Sequence, residues 1–165
     1  MNRLLNQRAD RISKISEVAD WGVSAHIFNH FNAVWGSFSC DPIADNLNRK
    51  CKKFYSKYGC PGSSGVNSLL FDWSRDNCWV VPPTDLIGET IHHMRLCRAH
   101  GALVVPKWES AYFWPLLCNE NGFFQPFVRE HHEFGDPLSF FEQGGSERTK
   151  CFKSGMMVLR VDFRL

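Results

Sequence analysis

The sequence has no apolar run approaching the roughly 20 residues that a bilayer-spanning helix needs. Its opening residues, MNRLLNQRAD, contain no apolar stretch of the kind that heads a secretory leader. Neither sign of charge dominates: 19 Lys and Arg stand against 17 Asp and Glu, a formal +2. That balance argues against the concentrated basic face of a dedicated nucleic-acid binder. The seven cysteines include no Cys-x-x-Cys pair and leave one over, which speaks against a secreted disulfide framework. Reduced thiols in an intracellular protein, cytoplasmic or nuclear, are expected instead, with no membrane partner. There is no Gly-x-Ser-x-Gly elbow, dinucleotide fingerprint or phosphate-binding glycine loop. Internal repeats and low-complexity tracts are absent too.

What remains is the composition of one globular domain. At 165 residues, 44% hydrophobic and 22% charged, with 14 Phe, 6 Trp and 3 Tyr, the chain is long enough to build its own core. From Ser24 to Trp35 the apolar residues Ile27, Phe28, Phe31 and Val34 recur at helical spacing, and Gly36 marks the end. Phe38–Ile43 reads as a short strand. Cys60-Pro61-Gly62-Ser63-Ser64-Gly65 is the clearest loop, and Val66–Phe71 fits either a helix or a strand. Cys78–Val81 reads as a buried strand halted by Pro82-Pro83. Asp85 is then placed to cap a helix carrying Leu86, Ile87, Ile91, Met94 and Leu96, stopped at His100-Gly101, before a second strand at Ala102–Val105. Strand, helix and strand at this spacing predict a βαβ unit, and so a three-layer α/β fold with a mostly parallel sheet. Phe123–Phe134 and Gly155–Phe163 look like further strands around a Gly- and Ser-rich loop.

Parallel sheets bind ligands at the carboxyl ends of their strands. A crevice there would be bordered by Asp41, Asp45, Asn48, Asp72 and Thr84. Loops are rich in Asp, Asn and Pro in any case, so residue type alone leaves a plain loop as the commoner reading. His26 and His30 have the four-residue spacing of a two-histidine metal face but lack a third ligand, as do His92-His93 with Cys97. His131 and His132 would point to opposite faces of a strand. No metal is expected. The basic cluster Arg49, Lys50, Lys52 and Lys53, followed by Phe54 and Tyr55, suits either a phosphate backbone with stacked bases or an ordinary solvated surface.

Two resemblances extend this reading. Asn6-Gln7-Arg8-Ala9-Asp10-Arg11-Ile12-Ser13-Lys14 resembles the segment that closes the ribonuclease H domain in retroelement polyproteins, with Asp10 at the last metal-binding carboxylate. A single carboxylate cannot hold the two magnesium ions of that chemistry. Residues 1–15 are therefore expected to be a remnant or linker, and 16–165 the domain proper. The remainder resembles the region downstream of ribonuclease H in DIRS-type tyrosine-recombinase retrotransposons. The matching residues are Cys40-Asp41-Pro42-Ile43-Ala44-Asp45-Asn46-Leu47-Asn48, Phe54-Tyr55-Ser56-Lys57, Pro61-Gly62, Asp72-Trp73, Trp79-Val80-Val81-Pro82-Pro83, Leu103-Val104-Val105-Pro106-Lys107-Trp108, Phe113-Trp114-Pro115-Leu116-Leu117 and Val158-Leu159-Arg160-Val161-Asp162-Phe163.

That region is in turn similar to phage-type Dam DNA adenine-N6 methyltransferases, which implies a Rossmann-like methyltransferase fold and S-adenosylmethionine as cosubstrate. In those enzymes a strand ends in Asn-Pro-Pro-Tyr: the Asn amide and the first Pro carbonyl hold the amine of a flipped adenine, and the Tyr stacks on the base. Here the corresponding residues are Val81-Pro82-Pro83-Thr84, so two of four catalytic positions have lost their chemistry. The resemblance puts Asp41, Asp45, Asn48 and Asp72 at the cosubstrate site. The implied function is a catalytically degenerate, methyltransferase-like domain with a binding or architectural role among other parts of a retroelement polyprotein. An active DNA adenine methyltransferase, and a module that grips DNA or RNA through Arg49–Tyr55 beside reverse transcriptase, are the alternatives.

Overall fold

A computed structural model describes residues 22–141 and 153–164. The expected ribonuclease H remnant at 1–15 and the Gly- and Ser-rich loop lie outside these residues. The first helix, α1 (Ala25–Val34), is capped by Ser24, whose hydroxyl accepts the Ile27 N–H. It buries Ile27 and Phe31, and the chain turns away at Gly36 with φ +80°. Its polar face, including His26, Asn29 and His30, is exposed.

Two short strands follow, β1 (Cys40–Asp41) and β2 (Lys53–Phe54), then β3 (Asn77–Val80). Asp85 does not cap the next helix. Thr84–Leu86 forms a single 3₁₀ turn instead, because Pro83 fixes the backbone that leads into it, and α2 (Ile87–Cys97) begins behind Leu86. Nor does α2 run to His100-Gly101. Arg98 takes the left-handed conformation at φ 53°, and the Ala99 N–H closes back on the Met94 carbonyl, so the turn is made one residue after the helix without a glycine. His100 and Gly101 already belong to β4 (His100–Pro106). The chain continues through α3 (Trp114–Leu117), β5 (Val128–Phe134), α4 (Pro137–Phe140) and β6 (Met156–Asp162). The segment Val66–Phe71 is neither a strand nor an α-helix: it holds a 3₁₀ turn at Ser68–Leu70.

The six strands form one sheet in the order β2-β1-β3-β4-β6-β5. β3 pairs in parallel with β4, as the βαβ spacing predicts, and β1 pairs in parallel with β3 and with β2, a strand formed within the basic cluster. The sheet as a whole is mixed: three of its five pairings are parallel, and β6 is antiparallel to both β4 and β5. Burial accounts for the choice of β6 as the partner of β4. Gly101–Pro106 is buried residue by residue, and such a strand needs a partner equally apolar on both faces. Met156–Leu159 and Val161 supply it along the full length of β4.

One face of the sheet packs Trp79, Ala102, Val104 and Val158 against Ile27, Phe31 and Trp35 of the α1 region, with Phe140 beside them. The other packs Val80, Leu103, Val105 and Leu159 against Ile87, Ile91 and Met94 of α2, together with Trp73 and Phe113. The α/β expectation is met, with a helix covering each face. Among the described residues no helix is long and apolar enough to cross a membrane.

At Gly101, where β4 pairs with β3, φ is +145° and any Cβ would collide with the backbone carbonyl of Cys78. Only glycine meets both demands. Gly101→Ala is expected to lower the unfolding free energy by roughly 3 kcal/mol or more, adding left-handed strain to overpacking. A urea melt of the variant beside the parent chain measures it.

Candidate functional site

From β1 the chain passes to β2 on one side, whereas β3 leads through α2 to β4 on the other. The sheet therefore changes winding direction between β1 and β3, and a crevice opens beyond the carboxyl ends of such a pair. Asp41 closes β1 at that point, and Val81-Pro82-Pro83 follows β3.

On the α1 side of β1 and β3 lies a small cavity of about 20 Å³ lined by Val23, Asp41, Asn48, Lys50, Trp79 and Val81, close to the size of one water molecule. Asp41 is 3% exposed. Its Oδ2 accepts the Lys50 backbone N–H at 3.0 Å, while Oδ1 has no partner. The indole Nε1 of the fully buried Trp79 also lacks one. A buried acceptor and a buried donor are thus left unmatched on residues that line one cavity of water size, with the Ile43 N–H also bearing on the Asp41 carboxyl. Burial is the main force on Asp41: it raises the carboxyl from the usual 3.8 to about 7, against the pull of the Lys50 N–H.

On the α2 side a second cavity of about 410 Å³ is walled mainly by apolar surface, with Ile43, Tyr55, Pro83 and Leu86 around it and Lys57, Asn67 and Glu89 among its polar points. Its size falls in the range of cofactor and small-ligand pockets. Thus two cavities, one polar and one apolar, flank the ends of the same strand pair.

The expected site residues divide accordingly. Asp41, Asn48 and Val81 meet at the small cavity and Pro83 at the large one. Asp45 stays in its own loop, where it accepts the Leu47 and Asn48 N–H groups while Asn48 Oδ1 accepts the Asp45 N–H. That reciprocal turn accounts for its carboxylate. Asp72 does not join the crevice. It lies before β3, at the end opposite Val81–Thr84, hydrogen-bonded to the Ser74 hydroxyl and backbone and beside Cys97 at the close of α2. Chain direction is the cause: the loop that leads into a strand sits at the other edge of the sheet from the loop that leaves it.

The basic cluster is not a stacking surface. Tyr55 is buried, with its ring stacked on Phe71, and Phe54 is fully buried. Lys53 is paired at 2.5 Å with Asp76, which also accepts from the Ser39 hydroxyl. Arg49 rests over the Phe54 ring and donates to the Cys51 and Lys52 carbonyls. Of the cluster, Lys52 and Arg49 are exposed, and Lys50 lines the small cavity.

Three contributors gave little sign in the sequence. Trp79 reads as core, yet its indole borders the polar cavity. Tyr112 sits far along the chain, and its hydroxyl donates to the Thr84 and Asp85 carbonyls and accepts the Gly88 N–H, bracing the loop after Pro83. Asn67 stands at φ 58° on the rim of the larger cavity. Elsewhere, His93 and Cys97 approach to 3.4 Å on one face of α2, at the opposite end of the sheet from the crevice. Among the described residues no group of three or more His, Cys, Asp or Glu could hold a metal ion.

In comparisons with known proteins, the chain matches no family model and no curated protein.

The raised carboxyl of Asp41 gives a pH signature. The fold favours its protonated form, so this contribution to stability is present below about pH 4 and is lost as pH rises through 7. The whole effect is about 4 kcal/mol. Asp41→Asn is expected to gain on the parent by up to that amount between pH 4 and pH 8, read as the difference between their urea-unfolding free energies across that range.

Proposed function

We propose that this chain is a methyltransferase-like domain of retroelement origin, Rossmann-like in type, that keeps the ligand crevice of a DNA adenine methyltransferase but has lost base methylation. Its role is then binding or architecture within a larger polyprotein, with DNA or RNA among its partners. One observation carries the reading. The strand end after β3 keeps its prolines in place at the β1–β3 crevice, while the residues on either side of them, Val81 and Thr84, offer neither an amide nor a ring.

The local geometry supports this division. Pro82 is buried and Pro83 precedes the 3₁₀ turn, so the backbone shape rests on residues that remain. Val81 faces the small cavity with an aliphatic side chain that cannot accept a hydrogen bond from an amine. Thr84 contributes its carbonyl to Tyr112 and has no aromatic face.

Only part of the expected donor set supports S-adenosylmethionine as ligand: Asp41 and Asn48 stand at the crevice, whereas Asp72 does not converge with them. The apolar cavity beside Ile43, Tyr55 and Pro83 suits a flat heteroaromatic ring, with Asn67 and Glu89 as polar contacts. The unmatched Asp41 oxygen, on a cavity of one-water size, suits a single water or hydroxyl donor between it and a ligand at the crevice. When bound, the cosubstrate supplies an electrophilic methyl group. What this chain lacks is the means to hold the accepting amine against it. Asp72, at the other edge of the sheet, has no part in the reading.

Losing a specific hydrogen-bonding group at a reacting atom costs about two to three orders of magnitude in rate, and losing the stacked ring removes a further 1–3 kcal/mol or so. The parent chain is therefore expected to incorporate no label from methyl-labelled S-adenosylmethionine into single- or double-stranded DNA. A Val81→Asn, Thr84→Tyr double variant should show incorporation if the cosubstrate crevice is intact. Robust methylation by the parent chain would overturn the inactive reading, and failure to bind S-adenosylmethionine in calorimetric titration would remove its cosubstrate.

A further inference from the structure

The opposite edge of the sheet holds a basin of about 450 Å³, bordered by the starts of β3, β4 and β5 and the end of β6. Arg129, Arg160 and Arg164 stand around it, with His100, Trp35 and Phe38 completing the walls. Two of the guanidiniums are oriented by carboxylates. Arg160 donates to Glu130 at 2.8 Å, and Glu130 is held in turn by the Trp35 indole at 3.2 Å. Arg164 makes a paired contact with Asp162 at 2.9 and 2.8 Å. Each keeps further N–H donors beyond those bonds. Arg129 has no carboxylate partner among the described residues, and the buried Nδ1 of His100 is unmatched.

Three guanidinium forks around one basin, two of them oriented by carboxylates and the third open, are an arrangement that recognises a phosphate, whose several oxygens accept from more than one guanidinium at once. The volume exceeds that of a phosphate ion, leaving room for whatever carries it, and Trp35 and Phe38 present an aromatic wall to that part. We propose that this basin is a nucleotide-phosphate site, separate from the β1–β3 crevice and independent of the methyltransferase reading. The phosphate can belong to a free mononucleotide or to a nucleotide within a single strand.

Adenosine monophosphate and a short oligodeoxyadenylate, each titrated against the whole chain, separate these sources. Arg129→Gln removes the unpaired guanidinium and breaks no contact that the fold uses. Lys52→Gln removes an exposed cation from the distant basic cluster. If the ligand is a free nucleotide, Arg129→Gln weakens binding of the monophosphate by about tenfold, while Lys52→Gln leaves it unchanged. If the ligand is a strand, the same contrast is seen with the oligonucleotide alone. The proposal is overturned if neither probe binds, if Arg129→Gln binds like the parent, or if both substitutions weaken binding equally. Coincident thermal melts of parent and variants establish that each comparison is made on folded protein.

Discussion

The structure is organised by the burial of β4. Every residue from Gly101 to Pro106 is inside, and a strand without a solvent face must be flanked on both edges and covered on both sides. β3 and β6 supply the edges, while α1 and α2, with the aromatic residues around them, supply the covers. The demand reaches down to Gly101, where the approach of the Cys78 carbonyl leaves no room for a side chain. Because β3 must lie beside β4, the exit of β3 is fixed next to β1, and the crevice follows from that adjacency.

The chemistry of the crevice is that of polar groups kept without full satisfaction. Asp41 is buried with one oxygen unmatched, and Trp79 contributes an indole N–H in the same condition. Such groups cost stability, the more so when the carboxyl ionises. A fold selected for stability alone would fill this cavity with aliphatic side chains. The loop after β3 is held by backbone shape: Pro82 and Pro83 set its course and Tyr112 braces it, while Val81 offers no hydrogen-bonding side chain and Thr84 no ring. The opposite edge has the contrary character, charged and open, with carboxylates that orient two arginines and leave a third without one.

Much of the fold is legible in local patterns. Ser24 and Gly36 bound the first helix, the prolines at 82, 83 and 106 mark the ends of β3 and β4, and the apolar spacing between them yields the βαβ unit. Where the local reading fails, a local competitor is responsible: Pro83 favours a 3₁₀ turn over an Asp85 cap, and Arg98 accepts a left-handed turn for which no glycine was needed. The last two strands leave unequal traces, β6 as an apolar run and β5 as a largely charged, exposed one, but their order and direction are not legible, because pairing between β4 and β6 joins residues fifty or more positions apart and leaves no periodic trace.

The sequence by itself determined which segments would be buried strands and helices, and that Val81 and Thr84 cannot perform the work of an amide and an aromatic ring, since those are properties of residue type and spacing. Only the tertiary structure decided which polar groups meet. Asp41 and Asp72 look alike along the chain, yet one leaves a strand and the other precedes one, so parallel pairing sends them to opposite edges of the sheet. Tyr55 and Lys53 read as a nucleic-acid patch until Phe71 stacks on the one and Asp76 pairs with the other. Arg129, Arg160 and Arg164 are scattered in sequence and share one basin because β6, running against β4 and β5, brings its end to the place where those strands begin.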